Sequence, residues 1–173
     1  MRFGPAILVV LFAAILSALG QAPSPVQTFT PFEIIHGSPM PLPALFQAVL
    51  LDQKDRVASL LQRGADPNEV TASGWRPLHE AMYKDAVICS LLLAHGADPN
   101  APVAEPKISG AHPSNRWTPI FFAVYRDRLD LVRELLAHGA RIDIHDLWGK
   151  TPLDYAREKQ NAPLVALLSK QRQ

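Results

Sequence analysis

Two patterns of apolar residues occur in turn along the chain, and each of them predicts a short helix. In the first, an apolar residue is followed three positions later by alanine, as in Leu78 and Ala81. In the second, an apolar pair such as Leu131 and Val132 opens a run that ends in two leucines. Positions three or four apart lie on one face of a helix. The pattern therefore predicts successive pairs of helices that pack through their apolar faces.

Proline, threonine and glycine mark the expected helix ends. Proline opens the first helix of the later pairs, at a position where its missing N–H costs nothing. Thr118 and Thr151 precede two of these prolines and are predicted to cap the helices. A glycine follows the second helix, where a left-handed residue closes a helix. The prolines are Pro77, Pro119 and Pro152, and the glycines are Gly64, Gly96 and Gly139.

Two short strings recur in the same register. They are RGADPN (63–68), HGADPN (95–100) and HGARID (138–143), and RPLHEA (76–81), TPIFFA (118–123) and TPLDYA (151–156). Pro119 and Pro152 are 33 residues apart. Over residues 44–170 the chain therefore resembles the ankyrin repeat, which has this period and the signature T-P-L-H-x-A.

The resemblance implies an all-α fold, an ankyrin-repeat solenoid of four helix-turn-helix repeats with β-turn connections. The repeats are expected at about 44–74, 75–116, 117–149 and 150–170. Polar residues replace core residues at both ends, since Arg56 aligns with Ile88, and Ser169 aligns with Leu93. Because terminal repeats face water on one side, we expect a complete array with capped ends.

Two departures from the repeat pattern are expected to change its turns. Leu78 to Gly96 spans 18 residues, one fewer than the equivalent span of the third repeat, which predicts a tighter turn near Asp85. An insertion at 101–116 gives sixteen residues to a turn that elsewhere has six. Insertions on this face often serve binding, but a tolerated surface loop is the alternative, and both stay open.

Residues 1–20 have the pattern of an export signal. Arg2 gives a positive start, an apolar run of 14 residues follows, and Ala18 and Gly20 supply a small-x-small cleavage site. The run is shorter than the ~20 residues needed to span a bilayer. We therefore expect a mature protein that begins at Gln21, without stable membrane insertion, in the periplasm of a Gram-negative bacterium or secreted. Retention as an uncleaved anchor is the alternative.

Residues 21–43 are predicted to be a proline-rich linker. Six prolines disfavour regular hydrogen bonding there and favour extended geometry. Apolar residues between them, such as Phe29 and Ile34, leave two alternatives open: the linker docks on the repeats, or it is a simple tether.

The composition narrows the possible functions. Lys and Arg number 17 against 16 acidic residues, which argues against nucleic acid as a partner. The single cysteine, Cys89, gives no internal disulfide or thiolate zinc site and aligns with buried valines. His79 is the signature histidine, which the resemblance assigns to hydrogen bonds with neighbouring turns. His95 and His138 stand just before the glycines that follow helices, where we expect them to interact favourably with the helix dipole and the last carbonyl groups. We expect no enzyme activity, metal or cofactor, because no phosphate loop, nucleophile elbow or paired carboxylates occur.

The resemblance also assigns candidate partner-binding residues. Exposed variable positions of ankyrin arrays lie at the turn tips, before Thr-Pro and at the end of the first helix. These positions hold all three tryptophans and two of the three tyrosines, residue types enriched at binding hot spots. We expect them to form one continuous aromatic and basic strip on the concave face, although a tryptophan before Thr-Pro could instead pack on the next turn. The candidates are Trp75, Tyr83, Lys84, Asn115, Trp117, Tyr125, Arg126, His145, Leu147, Trp148 and Lys150.

The expected function is therefore an exported protein–protein interaction module, acting as a monomer. It would bind a partner protein, which is itself exported or periplasmic, as an inhibitor or immunity factor. The alternative is an accessory or chaperone-like factor that supports an exported stress-defence enzyme. Both roles are implied by the resemblance to exported bacterial ankyrin proteins, and the residues neither choose between them nor name the partner.

Overall fold

The computed structural model describes residues 42–104 and 116–171 of the 173-residue chain. Within them the chain forms four successive helix pairs and no β-strand, so the predicted all-α fold of four helix-turn-helix repeats is confirmed. The helices are α1 (Ala44–Leu50), α2 (Lys54–Gln62), α3 (Pro77–Ala81), α4 (Ala86–Ala94), α5 (Pro119–Tyr125), α6 (Leu129–Ala137), α7 (Pro152–Glu158) and α8 (Ala162–Lys170). The expected signal peptide, nearly all of the expected linker and Asn115 lie outside the described residues.

The helices pack in two layers. The first helices of the pairs, α1, α3, α5 and α7, contact one another in succession, and so do the second helices α2, α4 and α6. One alanine of each first helix is completely buried, and its small side chain lets neighbouring helices approach closely. These alanines are Ala48, Ala81, Ala123 and Ala156. The layers share one continuous apolar core, which holds the first-helix row at a fixed register.

The first three repeats end their second helices in the same way. Gly96 adopts a φ of 88°, and the N–H groups of Gly96 and Ala97 bond carbonyls in the last turn of α4. This Schellman arrangement requires a left-handed residue, which glycine adopts without steric cost. Gly64 and Gly139 repeat the arrangement, as the sequence predicts.

Asparagine side chains tie consecutive repeats together beside these glycines. Asn100 donates a hydrogen bond to the Gly139 carbonyl at 3.0 Å and accepts one from the Arg141 N–H at 2.8 Å. Asn68 makes the equivalent pair of bonds one repeat earlier. The asparagine that recurs in the first two strings therefore connects the first repeat to the second and the second to the third.

The turn between paired helices contains one left-handed residue, except in the second repeat. Asp52, Asp127 and Gln160 adopt φ values of 54°, 56° and 54°. The second repeat lacks the equivalent residue, and Asp85 caps α4 by accepting a hydrogen bond from the Val87 N–H at 3.0 Å. The missing residue therefore removes the left-handed position and produces the tighter turn predicted near Asp85.

The turn that carries the insertion keeps the backbone hydrogen bond that closes the equivalent turns of the other repeats. The Val103 N–H bonds the Trp117 carbonyl at 2.9 Å, and equivalent bonds close the turns 71–75 and 146–150 at 2.8 and 3.0 Å. The two bonded residues are 14 positions apart in the turn that carries the insertion and four positions apart in the other two turns. The extra residues therefore lie between two ends that are closed as in an ordinary turn.

The start of the insertion packs against the turn before it. The Ala104 N–H bonds the Gly74 carbonyl at 2.9 Å, and the Arg76 guanidinium donates to the Pro102 carbonyl at 2.6 Å. Gly74 has a φ of 85°, and a Cβ atom there would lie only 2.0 Å from the Ala104 carbonyl oxygen. Only glycine therefore allows this close approach.

Thr151 caps α7, whereas Thr118 does not cap α5. The Asp154 carboxylate accepts hydrogen bonds from the Thr151 N–H at 2.9 Å and the Thr151 hydroxyl at 2.6 Å, which completes a reciprocal cap. In α5 the equivalent of Asp154 is Phe121, which has no polar group. The buried Thr118 hydroxyl has no hydrogen-bond partner among the described residues, so the predicted cap at Thr118 is wrong.

Replacing Thr118 by valine is expected to raise the free energy of unfolding by about 1 kcal/mol, because a buried hydroxyl without a partner costs roughly 1–3 kcal/mol. Thr151→Val is the matched control and should lower it by about 1 kcal/mol through loss of the cap. Urea unfolding measures both changes. Equal losses in the two variants would show that the Thr118 hydroxyl is bonded after all.

Candidate partner-binding surface

Two exposed tyrosines stand at the ends of the middle first helices. Tyr83 follows α3 and Tyr125 ends α5, each six positions after the proline that begins its helix. The two residues are 41% and 53% exposed. Because stacked repeats bring equivalent positions side by side, the two rings belong to one surface on the first-helix layer.

A cation from the following repeat lies over each tyrosine ring. The Arg126 Cζ atom is 4.8 Å from the centroid of the Tyr83 ring, and the Lys159 Nζ atom is 5.1 Å from that of Tyr125. Both distances are within the range of cation–π attraction. Lys84 occupies the position of the second repeat equivalent to Arg126 and Lys159. We call these five residues the tyrosine–cation strip.

Ion pairs neutralise two of the three cations in the strip. Lys84 Nζ lies 3.3 Å from a carboxylate oxygen of Glu80, and burial raises the pKa of Glu80 although Lys84 opposes that rise. Lys159 Nζ lies 2.6 Å from an oxygen of Asp127, and its hydrogen bond lowers the pKa of that carboxyl. Arg126 has no carboxylate within ion-pair distance in the described part of the chain.

Trp75 packs beneath the strip and is only partly exposed. Its ring centroid lies 6.2 Å from that of Tyr83 and 5.3 Å from that of Phe122, and its edge meets His79 at 6.1 Å. The side chain therefore supports the Tyr83 ring from the core side and leaves a smaller surface for a partner than the sequence suggests.

Trp117 is buried, and the prediction that it lies on the exposed face is wrong. Only 8% of it is exposed. Its ring stacks on that of Phe121, with 5.8 Å between the ring centroids. The centroids of the Phe122, Tyr125 and Tyr155 rings lie 5.1, 5.4 and 5.3 Å from that of Trp117. The position before Thr-Pro points the ring along the first-helix row, where the next repeat covers it. The alternative considered above, packing on the next turn, is what the structure shows.

The last turn presents a second exposed apolar group. Leu147 and Trp148 are among the most exposed large apolar residues, with 67% of Trp148 accessible, and His145 beside them is exposed too. One carboxylate oxygen of Asp146 accepts the N–H groups of Trp148 and Lys150, each at 2.9 Å, which fixes the turn. We call Leu147 and Trp148 the turn tip.

The turn tip and the strip are separate groups. Trp148 takes part in none of the ring contacts seen between described residues. The predicted single strip of three tryptophans and two tyrosines is therefore divided: one tryptophan supports it, one is buried and one stands at the tip.

Asp146 and Tyr155 connect the two groups, and the sequence analysis missed both. The second oxygen of Asp146 accepts hydrogen bonds from the Tyr155 hydroxyl at 2.6 Å and from the Trp117 indole at 3.4 Å. Burial opposes ionisation of Asp146, but these bonds and those from the turn outweigh it and lower its pKa. The available signal was an aspartate at the start of a turn, a residue that binds turn N–H groups.

His79, His95, His138 and Cys89 contribute to the structure of the repeats. The His79 ring is fully buried, accepts the Arg76 N–H at Nδ1 (3.1 Å) and donates from Nε2 to the Ala101 carbonyl of the next turn (3.0 Å). His95 and His138 each donate to a carbonyl in the last helical turn, at 2.9 and 3.0 Å, as predicted. Burial raises the pKa of the Cys89 thiol to about 12, so the thiolate that would react is disfavoured.

Comparison with known proteins identifies the family. Family models described as ankyrin repeats match residues 45–89 and 104–173. Cyclin-dependent kinase 4 inhibitor B of Rattus norvegicus is 36% identical over 124 residues, which make up 72% of this chain and 88% of that protein. The chain belongs to the ankyrin-repeat family.

Other relatives carry different names. Cyclin-dependent kinase inhibitor 2A of Homo sapiens is 36% identical over 104 residues, covering 60% of this chain and 61% of its own. Putative palmitoyltransferase ZDHHC13 of Danio rerio is 29% identical over 139 residues, covering 65% of this chain and 22% of its own. The matched relatives therefore do not share one named activity.

Over residues 42–104 and 116–171, no group of three His, Cys, Asp or Glu side chains is placed to hold a metal ion. In the same part of the chain, the helices are too short or too polar to cross a membrane.

Proposed function

We propose that this protein binds a partner protein through the tyrosine–cation strip and the turn tip. The observation that carries the proposal is the exposure of Tyr83 and Tyr125, each held under a cation from the next repeat. A ring fixed in this way keeps a large contact area ready for a partner and loses little conformational entropy on binding. Ankyrin repeats and relatives named as kinase inhibitors support a protein as the partner.

The proposed mode of action is inhibition by covering the partner's surface. Two relatives carry the word inhibitor in their names, which favours this role over the accessory or chaperone-like one. We take from them the inhibitory mode of action and not the kinase as the target, because the Danio rerio relative, which matches 65% of this chain, is named as a putative palmitoyltransferase.

The proposed compartment is the periplasm or the outside of the cell, and the partner is an enzyme found there. The support is the sequence of residues 1–20, with its short apolar run and small-residue cleavage site. An immunity factor against a toxin or a wall hydrolase would fit such a location. This step rests on sequence alone.

The experiment begins with cross-linking and pull-down from the periplasmic fraction, followed by binding measurements with the partner found. Tyr125→Ala tests the strip, Trp148→Ala tests the tip, and each should weaken binding by ~2 kcal/mol or more, the usual hot-spot threshold. Val87→Ala is the control, since Val87 is an exposed apolar residue on the second-helix layer.

Two outcomes would contradict the proposal. One is normal binding by both the Tyr125 and Trp148 variants while Val87→Ala or another change on the second-helix layer abolishes binding. The other concerns the compartment: N-terminal sequencing of the purified protein should give Gln21, and Met1 in the membrane fraction would argue against export. The two parts of the proposal can therefore fail independently.

A further inference from the structure

Arg126 differs from the other cations of the tyrosine–cation strip. The three occupy equivalent positions of consecutive repeats, but Lys84 and Lys159 are paired with Glu80 and Asp127. Arg126 contacts the Tyr83 ring instead, and no carboxylate of the described residues lies within ion-pair distance of it. The strip therefore has one uncompensated positive charge, at its middle.

The contact with Tyr83 determines what Arg126 can still bind. Its guanidinium carbon lies 4.8 Å from the ring centroid, so the ring occupies one side of the group. The N–H donors of a guanidinium lie in its plane and form a fork that matches the two oxygens of a carboxylate. Arg126 is exposed at the surface, so this fork is accessible to a partner.

The surroundings of Arg126 set how much negative charge is accepted. Lys84 and Lys159 are each already paired with a carboxylate, so Arg126 is the cation of the strip whose charge is left to attract an acidic side chain. The exposed rings of Tyr83 and Tyr125 offer apolar contact beside the guanidinium. A single carboxylate flanked by apolar residues is thus complementary to the strip, whereas a run of acidic residues is not.

Building on the proposed function, we propose that Arg126 is the residue that binds an Asp or Glu side chain of the partner. The neighbouring residues of that partner segment are apolar and lie against Tyr83 and Tyr125. The Tyr83 contact holds the guanidinium in place before binding, which reduces the side-chain entropy that binding removes. Arg126 thereby selects which segment of a partner enters the strip.

The test uses a phage-displayed library of random dodecapeptides, selected on the mature chain. The selected peptides should share one Asp or Glu with apolar neighbours. Their affinities should fall at least tenfold for Arg126→Gln and for peptides in which the acidic residue is replaced by its amide. Arg133→Gln is the matched control, because Arg133 is an exposed arginine on α6 in the second-helix layer, and it should leave the affinities unchanged.

The outcomes separate this inference from the proposed function. Peptides that lose binding with Tyr125→Ala but bind Arg126→Gln normally would overturn the inference and leave the strip as the binding surface. Peptides that are indifferent to both substitutions would overturn both proposals. Equal losses for Arg126→Gln and Arg133→Gln would show a general effect of positive charge and would also overturn the role of Arg126. Circular dichroism of each variant confirms that the helices are intact.

Discussion

Trp117→Ala is expected to lower the free energy of unfolding by about 3–5 kcal/mol, the range for removal of a large aromatic side chain from a core. Trp117 is 8% exposed and contacts four aromatic rings of the third and fourth repeats. Its loss would leave a cavity between those repeats and remove the indole hydrogen bond to Asp146. Urea unfolding followed by circular dichroism measures the effect.

Trp148→Ala is the matched control for this experiment. Trp148 is 67% exposed, and its hydrogen bond to Asp146 is donated by the backbone N–H, which the substitution retains. A change within about 0.5 kcal/mol is expected, as for most surface substitutions. A loss below 1 kcal/mol for Trp117→Ala, or similar losses for both variants, would be incompatible with a buried Trp117.

Stability is expected to fall as the pH is lowered from about 6.5 to about 4, through the ring of His79. Burial lowers the pKa of His79 to about 4 from 6.5, its ordinary value. In this window the unfolded chain binds a proton that the folded chain does not bind, so acid favours unfolding. The shift corresponds to a loss on the order of 3 kcal/mol that is complete near pH 4.

His79→Gln separates this effect from the titration of carboxylates, which both proteins share. The variant should be less stable at pH 7, because Nδ1 and Nε2 of His79 both make hydrogen bonds. It should also lose less stability than the unsubstituted protein between pH 6.5 and 4. Unfolding curves at several pH values give the two slopes, and parallel slopes would rule out the role of His79.

The repeat fold could be predicted because its signals are local and recur. Proline at helix starts, glycine after helix ends and alanine in the first helices each report one backbone or packing requirement, and the structure meets them in successive repeats. The tighter turn near Asp85 followed from counting residues alone. The cap predicted at Thr118 failed because it needed a polar partner, and Phe121 stands where Asp154 stands in the last repeat.

The site was predicted less well, because exposure depends on neighbours from other repeats. Trp75 and Trp117 hold the same position of successive repeats, yet Trp75 is partly covered and Trp117 is buried, whereas Trp148 stands two positions earlier in its turn and is exposed. Tyr155 makes the difference at Trp117, since it lies against the indole and binds Asp146. Tyr83 and Tyr125 were predicted to be exposed, and they are 41% and 53% exposed at the ends of their helices even though a cation from the next repeat lies over each ring.

The hydrogen bond that closes the turn with the insertion bears on how freely the length of that turn can change. Val103 and Trp117 are joined by the same backbone hydrogen bond that closes an ordinary turn. The positions of the helices on either side therefore do not depend on how many residues lie between them. Doubling the length of a flexible loop costs only about 0.6 kcal/mol more in closure entropy. We therefore expect that residues added or removed between Val103 and Trp117 leave the flanking helices unchanged, because the hydrogen bond between the two ends is retained.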